Sequence, residues 1–201
     1  ELRGIEVTRS GVVIRALTTF YEIRMHRDGR RRLPSLAIAA SEVGALQIQH
    51  RATIAGNIAN ASPAGDSLPV LLAHDAVVTV RSVRGRRDIP FAQFYLGYRQ
   101  LAIEPDELIT EVMIPTPPSG AFAFFRKVGT RRAQSISKVV FCGLIAPHAR
   151  SRDPHVRLAY GSVAPVPVLL LETMRLLEGR SLGAELIEEA EQRAAAEITP
   201  I

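Results

Sequence analysis

The chain has 201 residues, 47% of them hydrophobic, and 25 Lys and Arg against 20 Asp and Glu, for a formal net charge of +5 and a pI near 10.0. That is enough apolar material for a soluble, globular fold with a buried core in one or two domains. Apolar runs such as residues 76–80 and 166–171 fall far short of the roughly 20 residues that cross a bilayer. The basic balance does not mark a nucleic-acid binder: Arg30-Arg31-Arg32, Arg84-Gly85-Arg86-Arg87 and Arg131-Arg132 are short and scattered, and 5% aromatic residues leave few stacking platforms for bases.

Glu1-Leu2-Arg3-Gly4 shows neither an initiator Met nor a basic-then-apolar leader and reads as interior to a longer chain. Residues 11–17 and 76–81 are rich in β-branched side chains and suit strands of one sheet. Between them, residues 35–40 have Ala-rich helical character, with Gly44 placed to close the helix. Residues 53–66 are dense in small and polar types and read as a loop, followed by a helix that starts at Asp66. Residues 82–88 predict a polar, Arg-rich hairpin turn before Ile89-Pro90, and residues 109–114 another strand. Pro115-Thr116-Pro117-Pro118-Ser119-Gly120 is the strongest break in the chain, because consecutive prolines remove backbone donors and favour an extended linker. After it, residues 137–145 and 155–163 read as strands and residues 168–177 and 182–198 as helices. In the last of these Leu182, Leu186, Ile187, Ala190 and Ala194 recur mostly at three- and four-residue spacing against a Glu-rich face. The second half is therefore expected to be two strands covered by two helices.

Cys142 is the only cysteine, which excludes an intrachain disulfide, a cysteine-ligated iron–sulfur cluster and a multi-cysteine zinc site. Within Val139-Val140-Phe141-Cys142-Gly143-Leu144-Ile145 it reads as a buried strand residue. His26, His50, His74, His148 and His155 lack HxxxH or HExxH spacing and read as surface or packing residues. The arginine clusters read as solvated loop charge or as contacts to an acidic subunit or an anionic cofactor. The stretch from Thr53 to Asp66 has neither GxxxxGK(S/T) nor GxGxxG, so it supports no P-loop or Rossmann site. Two physical readings of it stay open: a tight structural turn, or a cradle that offers backbone N–H groups and short side chains to a ligand.

Gln47-Ile48-Gln49-His50-Arg51-Ala52-Thr53-Ile54-Ala55-Gly56-Asn57-Ile58-Ala59-Asn60-Ala61-Ser62-Pro63-Ala64-Gly65-Asp66 resembles the medium, FAD-binding subunits of the xanthine dehydrogenase and carbon monoxide dehydrogenase family of molybdenum hydroxylases. The likeness continues through Gly97-Tyr98-Arg99, Pro105-Asp106-Glu107-Leu108-Ile109, Lys127-Val128-Gly129-Thr130-Arg131-Arg132-Ala133-Gln134-Ser135-Ile136-Ser137-Lys138-Val139 and Gly161-Ser162-Val163-Ala164-Pro165, in the family's order and over essentially the whole chain. The resemblance implies an α+β fold. Residues 1–115 would be the second lobe of a two-lobed, PCMH/VAO-type FAD-binding domain, 116–120 a Pro-rich linker, and 121–201 a small antiparallel sheet with helices, similar to the CO dehydrogenase flavoprotein C-terminal domain and incomplete at its end. The family's N-terminal lobe, with its glycine-rich Gly-Gly-Thr-Asp loop, has no counterpart here, so half of the expected cofactor site lies outside these residues.

By motif match, the backbone of Thr53, Ile54, Ala55, Gly56 and Asn57 and the Asn57 amide would lie near FAD, with Gly56 permitting close approach and Val43 and Gly44 along the same cofactor. Asn60 and Ser62 would add hydrogen bonds, and Asp66 would accept from a cofactor hydroxyl or order the loop. Ile109 would be an apolar neighbour of the flavin and Lys127 a basic contact to its ring or chain. The resemblance implies no catalytic acid, base or nucleophile and no metal ligand in this chain. It implies an oxidoreductase subunit that relays electrons from iron–sulfur clusters on a small partner to an acceptor such as NAD or a quinone. The molybdenum cofactor would sit on a large partner, the assembly would be a hetero-oligomer, and its setting cytoplasmic. A non-redox anion- or nucleotide-binding module and a scaffold are the alternatives from other classes.

Overall fold

The computed structural model describes residues 2–131, 134–147 and 154–198; Arg132, Ala133 and His148 lie outside them. The chain opens with the hairpin β1 (Ile5–Val7) and β2 (Gly11–Arg15). Six short helices follow: α1 (Phe20–Met25), α2 (Arg27–Arg32), α3 (Pro34–Glu42), α4 (Leu46–Gln49), α5 (Ile54–Ala59) and α6 (Leu68–Ala73). Next come β3 (Val77–Ser82), β4 (Gly85–Pro90), the short pair β5 (Tyr95–Gly97) and β6 (Gln100–Leu101), and β7 (Leu108–Pro115). After residues 116–121, which carry no helix or strand, lie β8 (Phe122–Gly129), β9 (Ser137–Pro147), β10 (Pro154–Gly161), β11 (Val168–Leu169), α7 (Leu171–Leu177) and α8 (Ala184–Ala196).

The two strands expected first do share a sheet, with β7 between them: the antiparallel order is β1-β2-β7-β3-β4. Its register lines up Ile14, Val112, Val78 and Ile89 in one row, all buried. Fully burying each such side chain contributes roughly 1.5–3 kcal/mol, so a one-residue slip would send the whole row to solvent. The expected helix at 35–40 is α3, opened by Pro34 and followed by Gly44 at φ +52, the left-handed conformation that stops a helix. The expected hairpin after β3 is also present, although residues 85–88 belong to β4 rather than to its turn.

Three expectations are corrected. The 53–66 stretch is not a loop at its start: Thr53 caps α5 by accepting from the Gly56 N–H at 3.1 Å, and Ile54 and Ile58, one turn apart, are both fully buried. The following helix begins at Leu68, not Asp66. The second half has four strands rather than two, in the antiparallel order β11-β10-β9-β8. β8 shows no apolar–polar alternation because its exposed side carries Phe122 and Phe124, and β11 occupies the first residues assigned to the helix that in fact begins at Leu171. Of the arginines expected as solvated loop charge, Arg84 and Arg131 do lie between strands, whereas others belong to regular elements. Arg30, Arg31 and Arg32 form the last turn of α2, where cations meet the helix C-terminus; Arg84, Arg86 and Arg87 pair with Asp106, Asp88 and Glu107.

α6 is apolar all round and buried at every residue, packing on β9, β10 and α3. Gly161 allows that approach, since a Cβ there would fall 2.9 Å from Pro69 Cγ. Through α6 one core runs across the Pro-rich segment, from Ile14 and Val112 to Phe125, Val140, Cys142 and Ala159. A smaller core under α7 and α8 gathers Val156, Leu177, Leu186 and Ala190. Among the described residues no helix is long and apolar enough to cross a membrane.

Candidate functional site

The ends of α3 and α6 organise the site. Ser35, in the first turn of α3, lies 3.0 Å from Nε2 of His74, which ends α6, so the two helices run in opposite directions. At the other end the Lys127 ammonium, reaching in from β8, donates to the Glu42 carbonyl at 2.9 Å and to Asp66 Oδ2 at 2.7 Å. The remaining Asp66 oxygen accepts from the Ser137 hydroxyl at 2.5 Å. Neither side chain of the ion pair is more than 7% exposed. Burial pushes the Asp66 carboxyl above its usual range, and the Glu42 carboxylate acts in the same sense, while Lys127 and Ser137 pull it down. An ammonium has three donors. Among the described residues two are engaged, which leaves one N–H of Lys127 for a ligand.

α5 presents its neighbours differently from the cradle expected of a loop. The N–H groups of Ile54, Ala55, Gly56 and Asn57 donate to Thr18 O, Ala16 O, Thr53 Oγ1 and Thr53 O, so these four are committed inside the chain. What α5 offers outward is its exposed face, Gly56, Ala59 and Asn60. The Asn57 side-chain carbonyl accepts from Ser67 Oγ at 2.7 Å, and that assignment directs the amide NH₂ away from Ser67. Val43 is buried and Gly44 partly exposed, and the Gly44 carbonyl accepts from Gln134 N at 3.4 Å. Ser62 turns the chain after α5, accepting at its hydroxyl from Ala64 N. Ile109 is a buried residue of β7 paired with Val80, a core position first.

Two open clefts flank the ion pair. One, of about 670 Å³, runs between α3 and β8 and is lined by Ile38, Glu42, Lys127 and Arg131 among others. The second, of about 480 Å³, is lined by Ser62, Pro63, Tyr98, Ser137, Ser162 and Pro165. Ser162 sits at φ +65 with a buried hydroxyl that has no partner, and its N–H donates to Pro63 O. Of the residues expected at the site, Asp66 and Lys127 are in direct contact. Asn57 joins them through Ser67, next in sequence to Asp66, and Val43 and Gly44 through Glu42. Asn60 and Ile109 make no hydrogen bond to that cluster. Ser137, Ser67 and Ser162 were not singled out from the sequence. Ser137 and Ser162 stand in quoted motifs, yet a serine there carries no signal until its partner is known.

Residues 1–117 match the family described as the FAD binding domain in molybdopterin dehydrogenase, and residues 124–201 the CO dehydrogenase flavoprotein C-terminal domain. The chain is 32% identical, over 98% of its length, to the xanthine dehydrogenase/oxidase of Gallus gallus, of which it spans 15%. It is 37% identical over 69% of its length to the nicotinate dehydrogenase FAD-subunit of Eubacterium barkeri, of which it spans 48%. Among solved structures, the carbon monoxide dehydrogenase of Hydrogenophaga pseudoflava that lacks the Mo-pyranopterin moiety superposes with a TM-score of 0.93 at 27% identity, covering all of this chain and 69% of that one.

Proposed function

The chain belongs to the family of FAD-binding domains in molybdopterin dehydrogenases, and from that premise we propose that it is the cofactor-holding part of an electron-relay subunit in a cytoplasmic molybdenum hydroxylase. Residues 1–115 are then the second lobe of the FAD-binding domain, 116–120 the linker and 121–201 the flavoprotein C-terminal unit. The observation that carries the reading is convergence. Three stretches far apart in sequence, 42–44, 53–67 and 127–137, are tied together by hydrogen bonds through Lys127, Asp66, Asn57 and Gly44.

The donors present fit a flavin nucleotide. Lys127 keeps one N–H unengaged among the described residues beside a cleft, Asn57 has an amide NH₂ turned from Ser67, and Asn60 is exposed at the end of α5. When bound, FAD supplies an acceptor that takes electrons singly or in pairs. The chain's own part is positional. Lys127 presents positive charge, Asp66 fixes the ammonium, Gly44 and Gly56 keep the surface low, and the committed N–H groups of α5 hold that helix rigid rather than contact the ligand. Cys142 is buried and alone, so the electron donor in this reading is a separate small iron–sulfur subunit. The substrate chemistry belongs to a large molybdenum-cofactor subunit, and the outlet is NAD or a quinone.

Reconstitution of the full-length subunit with FAD tests this. Stoichiometric flavin absorbance is expected; its absence sinks the reading in favour of a scaffold or a non-redox anion-binding module. In the same protein Gly56→Val is expected to weaken FAD binding with the circular dichroism unchanged. The branched side chain covers the exposed face of α5, and its Cβ meets Thr53 Oγ1 at 3.0 Å. Equal flavin retention by both proteins would make Gly56 a helix residue and nothing more. The subunit without partners is expected to oxidise no purine, aldehyde or carbon monoxide, and turnover of any of them by a molybdenum-free preparation refutes the division of labour.

A further inference from the structure

We propose that Ser137 is a positioning residue of the cofactor site: its hydroxyl clamps one oxygen of Asp66 so that the other holds Lys127 with its free N–H presented to FAD. This rests on the functional reading above. The backbone shows that Ser137 is aimed at its task. β8 and β9 pair Lys127 with Val140 and Val128 with Val139, then shift register so that Gly129 faces Ser137. Without the shift Gly129 would face Lys138, and Lys138 would take the inward position next to Lys127. The bulge turns Ser137 inward instead, as bulges re-aim side chains, and leaves Lys138 exposed while Ser137 is buried. A second ammonium beside Lys127 is thereby replaced by a neutral donor at 2.5 Å from Asp66 Oδ1.

The consequence for the ion pair follows from what surrounds Asp66. From β8 it meets Lys127, from β9 Ser137, and from the end of α3 the Glu42 carboxylate, whose charge opposes ionisation. Lys127 and Ser137 are thus the two groups that hold Asp66 as a carboxylate against burial and Glu42. A carboxylate tied at both oxygens cannot rotate about its Cβ–Cγ bond, and Lys127, tied in turn to Asp66 and the Glu42 carbonyl, keeps a single direction for its third N–H. With Ser137 removed, one oxygen is left buried and unsatisfied. Asp66 then takes up a proton more readily, and a protonated Asp66 no longer fixes the ammonium. Ser137 also lines the cleft that holds Ser62 and Ser162, so the clamp is open to whatever enters there.

The test uses the full-length subunit loaded with FAD and acidified stepwise, with bound flavin read by fluorescence after rapid filtration. Ser137→Ala is expected to release flavin at a midpoint about one pH unit higher than wild type, a roughly tenfold change in proton affinity, together with a fall in thermal stability at pH 8, where the stranded carboxylate oxygen is without its donor. Ser137→Thr, which keeps the hydroxyl, is expected to restore the wild-type midpoint. Should Ser137→Ala fold poorly, Ser137→Cys, near-isosteric with a weak donor, is expected to show the same upward shift. Superimposed acid-release curves for wild type and either variant overturn the role of Ser137, as does a loss of thermal stability without a shift in the curve. A wild type that binds no FAD at any pH overturns the functional reading itself, and the proposal with it, and is told apart by the absence of flavin at the start.

Discussion

The two ends of the α3–α6 pair are both closed by polar side chains that meet β8 and β9, and they are opposite in kind. At one end Ser35, His74 and Cys142 are neutral and buried, with Nδ1 of His74 left without a partner. Burial brings His74 down to about 4 and, opposed by the Ser35 hydroxyl, pushes the Cys142 thiol up to about 12, so neither is ionised near neutrality. At the other end Asp66 and Lys127 are charged, every oxygen of the carboxylate has a donor, and two clefts open beside them. The neutral end resembles packing with a defect that stability tolerates. The charged end repays the desolvation of two ions only through complete pairing, an arrangement found where a charge is needed in a fixed place.

The most severe way to break the comparison is to unpair the charged end. Lys127→Met leaves Asp66 ionised and buried with Ser137 alone, and removing one partner of such a pair costs about 3–5 kcal/mol. Urea denaturation at pH 7.5 is expected to show that loss, and the full-length protein to lose its flavin. Adding Asp66→Leu to Lys127→Met removes the stranded charge, so most of the stability is expected to return while flavin binding does not. A Lys127→Met protein within about 1 kcal/mol of wild type, below the range of a buried pair, would mean that the two ends do not differ as described.

The neutral end should announce itself through pH. His74 titrates near 6.5 in the unfolded chain and at about 4 in the folded one. Its folded value is depressed, so its stabilisation is fully present above pH 6.5 and is lost as pH falls toward 4, where the unfolded chain gains the proton first. The shift corresponds to about 3 kcal/mol across that window. Asp66, whose carboxyl is pushed up, works in the opposite sense as pH falls. The His74 part is therefore the difference between wild type and His74→Leu in urea midpoints at pH 7.5, 5.5 and 4.5. His74→Leu is expected to flatten the acid slope; equal slopes would mean that His74 is hydrated or partnered in solution.

How much of this was legible in the sequence depends on range. β2, β3 and β7 were readable because β-branched residues mark them locally, and α3 because Pro34 and Gly44 bracket it. α5 was misread because Gly56, Asn57 and Asn60 outweigh Ile54 and Ile58, whose burial against the first sheet decides the helix. β8 was missed because an edge strand with phenylalanines on its open side has no alternation to detect. At the site, Asp66 and Lys127 were visible as motif residues, but they are 61 positions apart and nothing local says that they touch. Ser137 depends on a one-residue register shift, which leaves no trace in periodicity. The opposed ends of α3 and α6 are a property of packing alone.

The gentlest test separates the ends instead of breaking one. Ser35→Ala takes away the partner that the His74 ring has among the described residues, at Nε2, and Nδ1 already has none, so both ring nitrogens become unsatisfied in a buried place. Leaving a buried polar group without a partner costs about 1–3 kcal/mol, and alanine returns a few tenths of that through its better helix propensity in α3. Cys142 loses the neighbouring hydroxyl but packs as a small hydrophobe without it. A net loss of about 1–2 kcal/mol in urea denaturation is therefore expected. Flavin retention at the opposite end of the same two helices should be unchanged, because Asp66, Lys127 and Ser137 share no hydrogen bond with Ser35 or His74. If Ser35→Ala costs flavin in proportion to stability, α3 and α6 move as one lever, and the contrast between a silent end and a working end fails.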